Sequence, residues 1–316
     1  MFLNLVLLAV SLVIIAVSAD RFVLGAARSA ELAKVSPLFI GVVIVGFGTG
    51  LPELMTAVLA SIHGNPALGI SSVIGSTVIN STLVLGTLGA ISAPVISSSV
   101  LKREGLSQVA AVLAFSLVIV LWQNRIGYIV LLGGLAVFGL SMVRQNKAKD
   151  GVNLELEREV AQIEHSHNWS LKRSLALTLA GLVAVLVSAE LLVTSATNLA
   201  RSLGLAPALI GVTIVALGTS LPEWVTAFAA ARRGQSDLVI GNVFGANFFN
   251  ATGVAGIAGT ISPDILHIRH LQLELGFMIA TSLLAWYFLS SQRRLSKKEG
   301  WSLIVVFALW IAMVSL

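Results

Sequence analysis

The chain has 316 residues, 56 % of them hydrophobic and 11 % charged, with a mean hydropathy of +0.93. That composition excludes a soluble globular domain and describes a protein that crosses a membrane many times. Cysteine is absent, which excludes a disulfide framework, a thiolate metal site and a cysteine nucleophile, so any bound metal must meet oxygen or imidazole.

Stretches apolar for roughly 20 residues, enough to cross about 30 Å of hydrocarbon, are predicted at 2–19, 37–61, 66–90, 105–122, 126–143, 173–197, 206–231, 238–260, 271–290 and 301–316. These make ten transmembrane helices. The second and seventh carry Gly and Pro in mid-span. A membrane helix tolerates that only where the freed backbone groups find partners or line a cavity, so both are predicted to be broken. The first span lacks a basic leading region and is read as a structural helix, not a signal peptide.

The net charge of +5 reports topology rather than nucleic-acid binding. On ten spans, sixteen Lys and Arg residues fall on one side and three, Arg125, Arg201 and Arg269, on the other. The basic side is cytoplasmic by the positive-inside rule, which puts both termini outside and the loop 144–172 in the cytoplasm.

The chain is internally duplicated. Gly48-Thr49-Gly50-Leu51-Pro52-Glu53 recurs as Gly218-Thr219-Ser220-Leu221-Pro222-Glu223, 170 positions later, and Pro37–Gly64 matches Pro207–Gly234 at 15 of 28 positions without a gap. Each half, 1–143 and 173–316, holds five spans. An odd number makes the second half enter from the opposite side, so the expected fold is an all-α membrane protein of two inverted-topology repeats of five helices, joined by the 144–172 linker.

Each repeat places a carboxylate at membrane depth, which is costly and marks a functional site. Thr49 and Glu53 are four residues apart, as are Thr219 and Glu223, so each pair shares a helix face. Pro52 and Pro222 have no N–H to offer the carbonyls of Gly48 and Gly218, which become candidate oxygen ligands. Asn80 and Asn250 follow the two glutamates by 27 residues, and Ser76 lies one turn before Asn80. An oxygen-only set with two carboxylates suits a hard cation such as Ca²⁺, which takes six to eight oxygens. Two carboxylates in a low-dielectric site cannot both stay ionised unpaired, so an emptied site takes up other cations or protons, and two ion fluxes become coupled.

The remaining polar residues read as structural. Asp20 and Glu190 are expected near helix ends, Glu274 at an interface, and His63, His165 and His167 in solvated loops. A short amphipathic helix is expected from the spacing of Val152, Leu156, Val160 and Ile163 in the linker. No His-Glu-x-x-His or nucleophile motif is present, so the protein is not read as an enzyme.

The paired Gly-Thr-x-Leu-Pro-Glu motifs, each followed by a Gly-x-x-x-x-Asn helix, resemble the α-repeats of the cation/Ca²⁺ exchanger superfamily, in its prokaryotic sodium/calcium exchanger type. The resemblance implies that Glu53 and Glu223 are the central cation ligands, that Thr49 and Thr219 add oxygens, and that Ser220, Ser76, Asn80 and Asn250 line flanking Na⁺ positions. The chain departs from the family pattern at Gly50 and Ala246, where Ser is usual. The expected function is antiport of Ca²⁺ against Na⁺ across the plasma (inner) membrane, with no cofactor, and with membrane lipid and inorganic cations as the only partners. H⁺/Ca²⁺ antiport, K⁺-dependent exchange and a cation channel stay open as alternatives.

Overall fold

A computed structural model of the chain describes residues 2–33, 35, 37–64, 66–92, 104–148, 169–203, 216–263, 271–292 and 294–314. In chain order its helices are α1 (Phe2–Leu32), α2 (Gly41–Thr49), α3 (Leu51–Ile62), α4 (Pro66–Ile91), α5 (Leu106–Leu121) and α6 (Arg125–Ala148) in the first half. The second half contains α7 (Leu171–Ser202), α8 (Ala216–Thr219), α9 (Leu221–Arg232), α10 (Leu238–Ile261), α11 (Gln272–Gln292) and α12 (Lys297–Val314). Among the described residues no ladder of strands forms, as expected where backbone polar groups must be satisfied within each segment.

Six of these helices are long and apolar enough to cross a membrane, and the bent pair α2–α3 makes a seventh. The other three predicted spans do not meet that test. Helix α5 has only 16 residues, 206–231 lies partly outside the described residues, and α12 opens on Lys297, Lys298 and Glu299. The break in the second span is where it was predicted. The axis turns by 47° between Thr49 and Leu51, because Pro52 cannot continue the hydrogen-bond ladder. The two breaks have one local geometry, with Gly50 at φ −76°, ψ 4° and Ser220 at φ −89°, ψ 4°.

Three helices outrun their predicted ends. Helix α1 continues past residue 19 to Leu32, 31 residues in all, and α7 runs for 32. The polar residues at which the first span was expected to stop, Asp20 and Arg21, are carried on the helix instead. At 1.5 Å per residue α1 is about 46 Å long, more than a bilayer's hydrocarbon requires. Asp20 and Glu190 are therefore interior to long helices rather than near their ends. Helix α6 extends through Arg144 to Ala148. The proposed linker helix and the two linker histidines lie outside the described residues.

The interior is built on α4 and α10, the equivalent helices of the two repeats. An 18-residue stretch of α10 is wholly buried and 72 % of that of α4 is, against 17 % for α1. Helices α1 and α7 lie against each other at the periphery, where Gly25 abuts Thr178 and Gly181 abuts the backbone of Phe22. Small residues let the two backbones approach. The duplication persists in the backbone: α3 and α9 both end on a left-handed glycine, Gly64 at φ 74° and Gly234 at φ 70°, a conformation that glycine adopts without a Cβ penalty. A single π-helical turn opens at Asn80 and another at Asn250, and such turns frequently mark functional sites.

Candidate cation site

Both glutamates sit in the first turn of a 12-residue half-helix, Glu53 on α3 and Glu223 on α9. At a helix N-terminus the free backbone amides favour negative charge. Both side chains are fully buried, and the charge of Glu53 acts on Glu223.

One hydroxyl joins the two repeats. Ser76, on α4, donates to Glu53 Oε1 at 3.0 Å and stands 3.0 Å from Ser220 Oγ at the start of α9. Asn250, on α10, donates its amide N–H to the same Ser76 oxygen at 3.2 Å. A serine hydroxyl has one donor and two acceptor sites, so with Ser220 donating, Ser76 is saturated. Four of the predicted residues, two from each repeat, thus form one bonded cluster.

The threonines serve the opposite repeats. Thr49 lies against Glu223, and Thr219 lies, with Ser220, against Glu53. The Thr49 hydroxyl reaches Gly46 O at 3.4 Å and Asn242 Oδ1 at 3.3 Å. Gly48 and Gly218 flank the breaks, and both pack on α7, against Leu182 and Val193. Asn80 is fully buried and neither of its side-chain polar atoms has a hydrogen-bond partner.

Sequence reasoning missed Asn242. Its amide donates to Glu223 O at 2.9 Å and to Thr226 Oγ1 at 3.2 Å, while its oxygen accepts from Thr49. It ties α2, α9 and α10 together around the second glutamate. Nearby, Asn247 donates to Ser81 Oγ at 3.0 Å, another link between repeats. The available signal was a third asparagine, with Asn247 and Asn250, on a central helix that is mostly apolar. Close packing sets this geometry: a Cβ on Gly46 would meet Ala246 N at 2.9 Å, and one on Gly245 would meet Val42 Cα at 2.8 Å.

Among the predicted ligand residues, five buried oxygens have no hydrogen-bond donor: Glu53 Oε2, both carboxylate oxygens of Glu223, Asn80 Oδ1 and Asn250 Oδ1. Buried polar atoms are normally partnered. Among the described residues no group of three or more His, Cys, Asp or Glu side chains is positioned to hold a metal, so the other available donors are neutral oxygens. Two carboxylates with amide and hydroxyl oxygens form a hard donor set that can replace the hydration shell of an alkali or alkaline-earth cation.

The sequence profile of the sodium/calcium exchanger protein family matches residues 3–146 and 173–316. The putative antiporter CaxA of Alkalimonas amylolytica is 31 % identical over 303 residues, covering 94 % of each chain. The sodium/calcium exchanger MaX1 of Methanosarcina acetivorans is 28 % identical over 343 residues, covering 98 % of each. Among solved structures, the sodium–calcium exchanger NCX_Mj superposes with a TM-score of 0.83 at 29 % identity, over 98 % of both chains. With a profile match over both halves and a shared fold over nearly the whole length, the chain belongs to the sodium/calcium exchanger family, in its prokaryotic type.

Proposed function

We propose that the protein is a secondary antiporter that exchanges Ca²⁺ for Na⁺ through a midplane site centred on Glu53 and Glu223. The five donorless buried oxygens carry this reading. Thr49, Thr219, Ser220, Ser76, Asn80 and Asn250, with the carbonyls of Gly48 and Gly218, complete the donor set in this proposal. Burying two carboxylates without a cation is costly, and a bound Ca²⁺ or monovalent ions remove that cost. Only the loaded protein then rearranges, which couples the two fluxes. The names of the similar exchangers and the match to both halves support antiport over a channel.

The proposed topology is ten spans in two inverted repeats of five, in the plasma (inner) membrane, with both termini outside and the loop 144–172 cytoplasmic. The gap-free 170-residue offset, the paired breaks and the basic asymmetry support it.

Proton coupling is a second reading, favoured by one observation. Gly50 has no hydroxyl, and the space beside it is taken by Phe249, whose Cδ1 would lie 3.1 Å from a Cβ there. Phe249 is in turn stacked on Phe47 with ring centroids 4.8 Å apart. The position where the family usually carries a serine hydroxyl thus faces an aromatic wall.

The deciding experiment is ⁴⁵Ca²⁺ uptake into proteoliposomes loaded with Na⁺, with K⁺, or with choline under an imposed pH gradient. Saturable uptake that requires internal Na⁺ is expected. Uptake driven by the pH gradient alone would move the protein to proton coupling, and flux without any counter-ion would replace the carrier with a channel.

A further inference from the structure

Away from the glutamates, a cavity of about 800 Å³ opens between α1, the end of α4 and the last turns of α9. Its volume falls in the range of roughly 300–1,000 Å³ typical of small-ligand sites. Val17, Ile91, Val225 and Phe228 make its wall apolar, and Arg21 and Arg232 stand at it.

The charges around it are unevenly matched. Asp20 is consumed by Arg233, whose Nε and Nη2 donate to the two carboxylate oxygens at 2.9 and 2.6 Å. Arg21 and Arg232 are exposed and, among the described residues, have no hydrogen bond or ion pair. Arg21 is eleven residues before the end of α1, about 16 Å along the axis. An exposed guanidinium with no partner among the described residues is available to a lipid phosphate at the membrane surface. Arg21 also borders a second cavity, of about 530 Å³, beside Arg173 and Trp169, and the Arg173 guanidinium lies over the Trp169 ring at 5.2 Å. Tryptophan and arginine together mark the headgroup level of a bilayer.

We infer that the cavity between α1, α4 and α9 is a binding site for an anionic phospholipid, with the phosphate held by Arg21 and Arg232 and an acyl chain along Val17, Ile91, Val225 and Phe228. An apolar wall ending in two free guanidinium groups matches an amphiphile with a negative head, and Arg233 is already neutralised by Asp20. The site does not depend on which ions the protein carries. Its inner limit is Trp224, whose indole N–H donates to Thr87 Oγ1 at 2.9 Å.

The test is native mass spectrometry of the full-length protein in detergent, titrated with phosphatidylglycerol or phosphatidylcholine of the same acyl chains. The wild type is expected to bind the anionic lipid at a concentration about tenfold lower. Arg21→Ala with Arg232→Ala should weaken that binding by about thirtyfold, roughly fivefold per arginine, while Arg21→Lys with Arg232→Lys should keep most of it. Equal binding of the two lipids by the wild type, or unchanged preference in the double alanine variant, overturns the site. A competition on the wild type removes any dependence on variant folding. A single-chain alkyl phosphate should displace phosphatidylglycerol and glycerol phosphate should not, whereas equal displacement by glycerol phosphate would reduce the site to a plain anion contact.

Discussion

The hydroxyl of Ser76, from the first repeat, lies 3.0 Å from that of Ser220, from the second, and this contact stitches the two halves together beside Glu53. Removing Ser76 should therefore disturb more than removing Ser220. Ser76→Ala leaves Glu53 Oε1, the Ser220 hydroxyl and the Asn250 amide each short of a partner, whereas Ser220→Ala removes one bond. The expected effect on apparent Ca²⁺ affinity is about 100-fold for Ser76→Ala, which breaks three bonds, and about fivefold for Ser220→Ala, at ~1 kcal/mol per hydrogen bond. Concentration-dependent ⁴⁵Ca²⁺ uptake measures both, and equal effects would contradict the hub role of Ser76.

Neutralising either buried glutamate should separate transport from stability. Glu53→Gln and Glu223→Gln each remove a charged ligand of similar shape, and uptake should fall by about 100-fold or more, since ligand charge tunes Ca²⁺ affinity over orders of magnitude. Burying a neutral amide costs less than burying a carboxylate, so without divalent cations the variants should unfold at the wild-type temperature or above it. Thermal unfolding in cation-free detergent, with and without added Ca²⁺, gives both readouts. Near wild-type uptake in either variant would sink the two-glutamate site.

Asn242 should behave as a strut. Its side chain makes three hydrogen bonds, one of them shared with Thr49. Asn242→Ala is expected to cost about 3 kcal/mol and Thr49→Ala about 1 kcal/mol, with the double variant less destabilised than their sum. Denaturant titration of the four proteins of this cycle checks it, and strict additivity would show that the Thr49 contact contributes nothing.

Gly50→Ser tests the counter-ion. A Cβ at Gly50 lies 3.6 Å from Asn250 Oδ1, so a hydroxyl there joins the donor set, although Phe249 must yield a few tenths of an ångström. The overpacking should cost about 1 kcal/mol, and half-maximal Na⁺ for exchange should fall. Ala246→Ser should act in the same direction. Unchanged Na⁺ dependence in both variants would mean that the missing hydroxyls do not set ion choice.

The Asp20–Arg233 pair joins α1 to the turn after α9, but about half of the Asp20 side chain is exposed. Breaking it by Asp20→Asn should cost no more than about 1 kcal/mol, and the Asp20→Arg with Arg233→Asp exchange should recover most of that. Thermal unfolding at low and high salt distinguishes this from a buried pair, for which the loss would be larger and insensitive to salt.

Much of this protein was legible in one dimension. Apolar runs of bilayer length, a gap-free 170-residue repeat, prolines beside Glu53 and Glu223, and glycines at 64 and 234 are local chemistry, and local chemistry decides breaks, turns and membrane depth. Tertiary structure decided the rest. Spacing alone pairs Thr49 with Glu53 on one helix face, yet across the break Thr49 lies against Glu223 and Thr219 against Glu53. The contacts that assemble the cluster link residues 144 and 174 positions apart. No periodicity encodes such pairings, because they arise only when the two repeats pack α4 against α10. The same holds for α1. Asp20 and Arg21 suggest a helix end by polarity, but the helix runs on to Leu32 along α7, and Asp20 finds its partner in Arg233, 213 residues away.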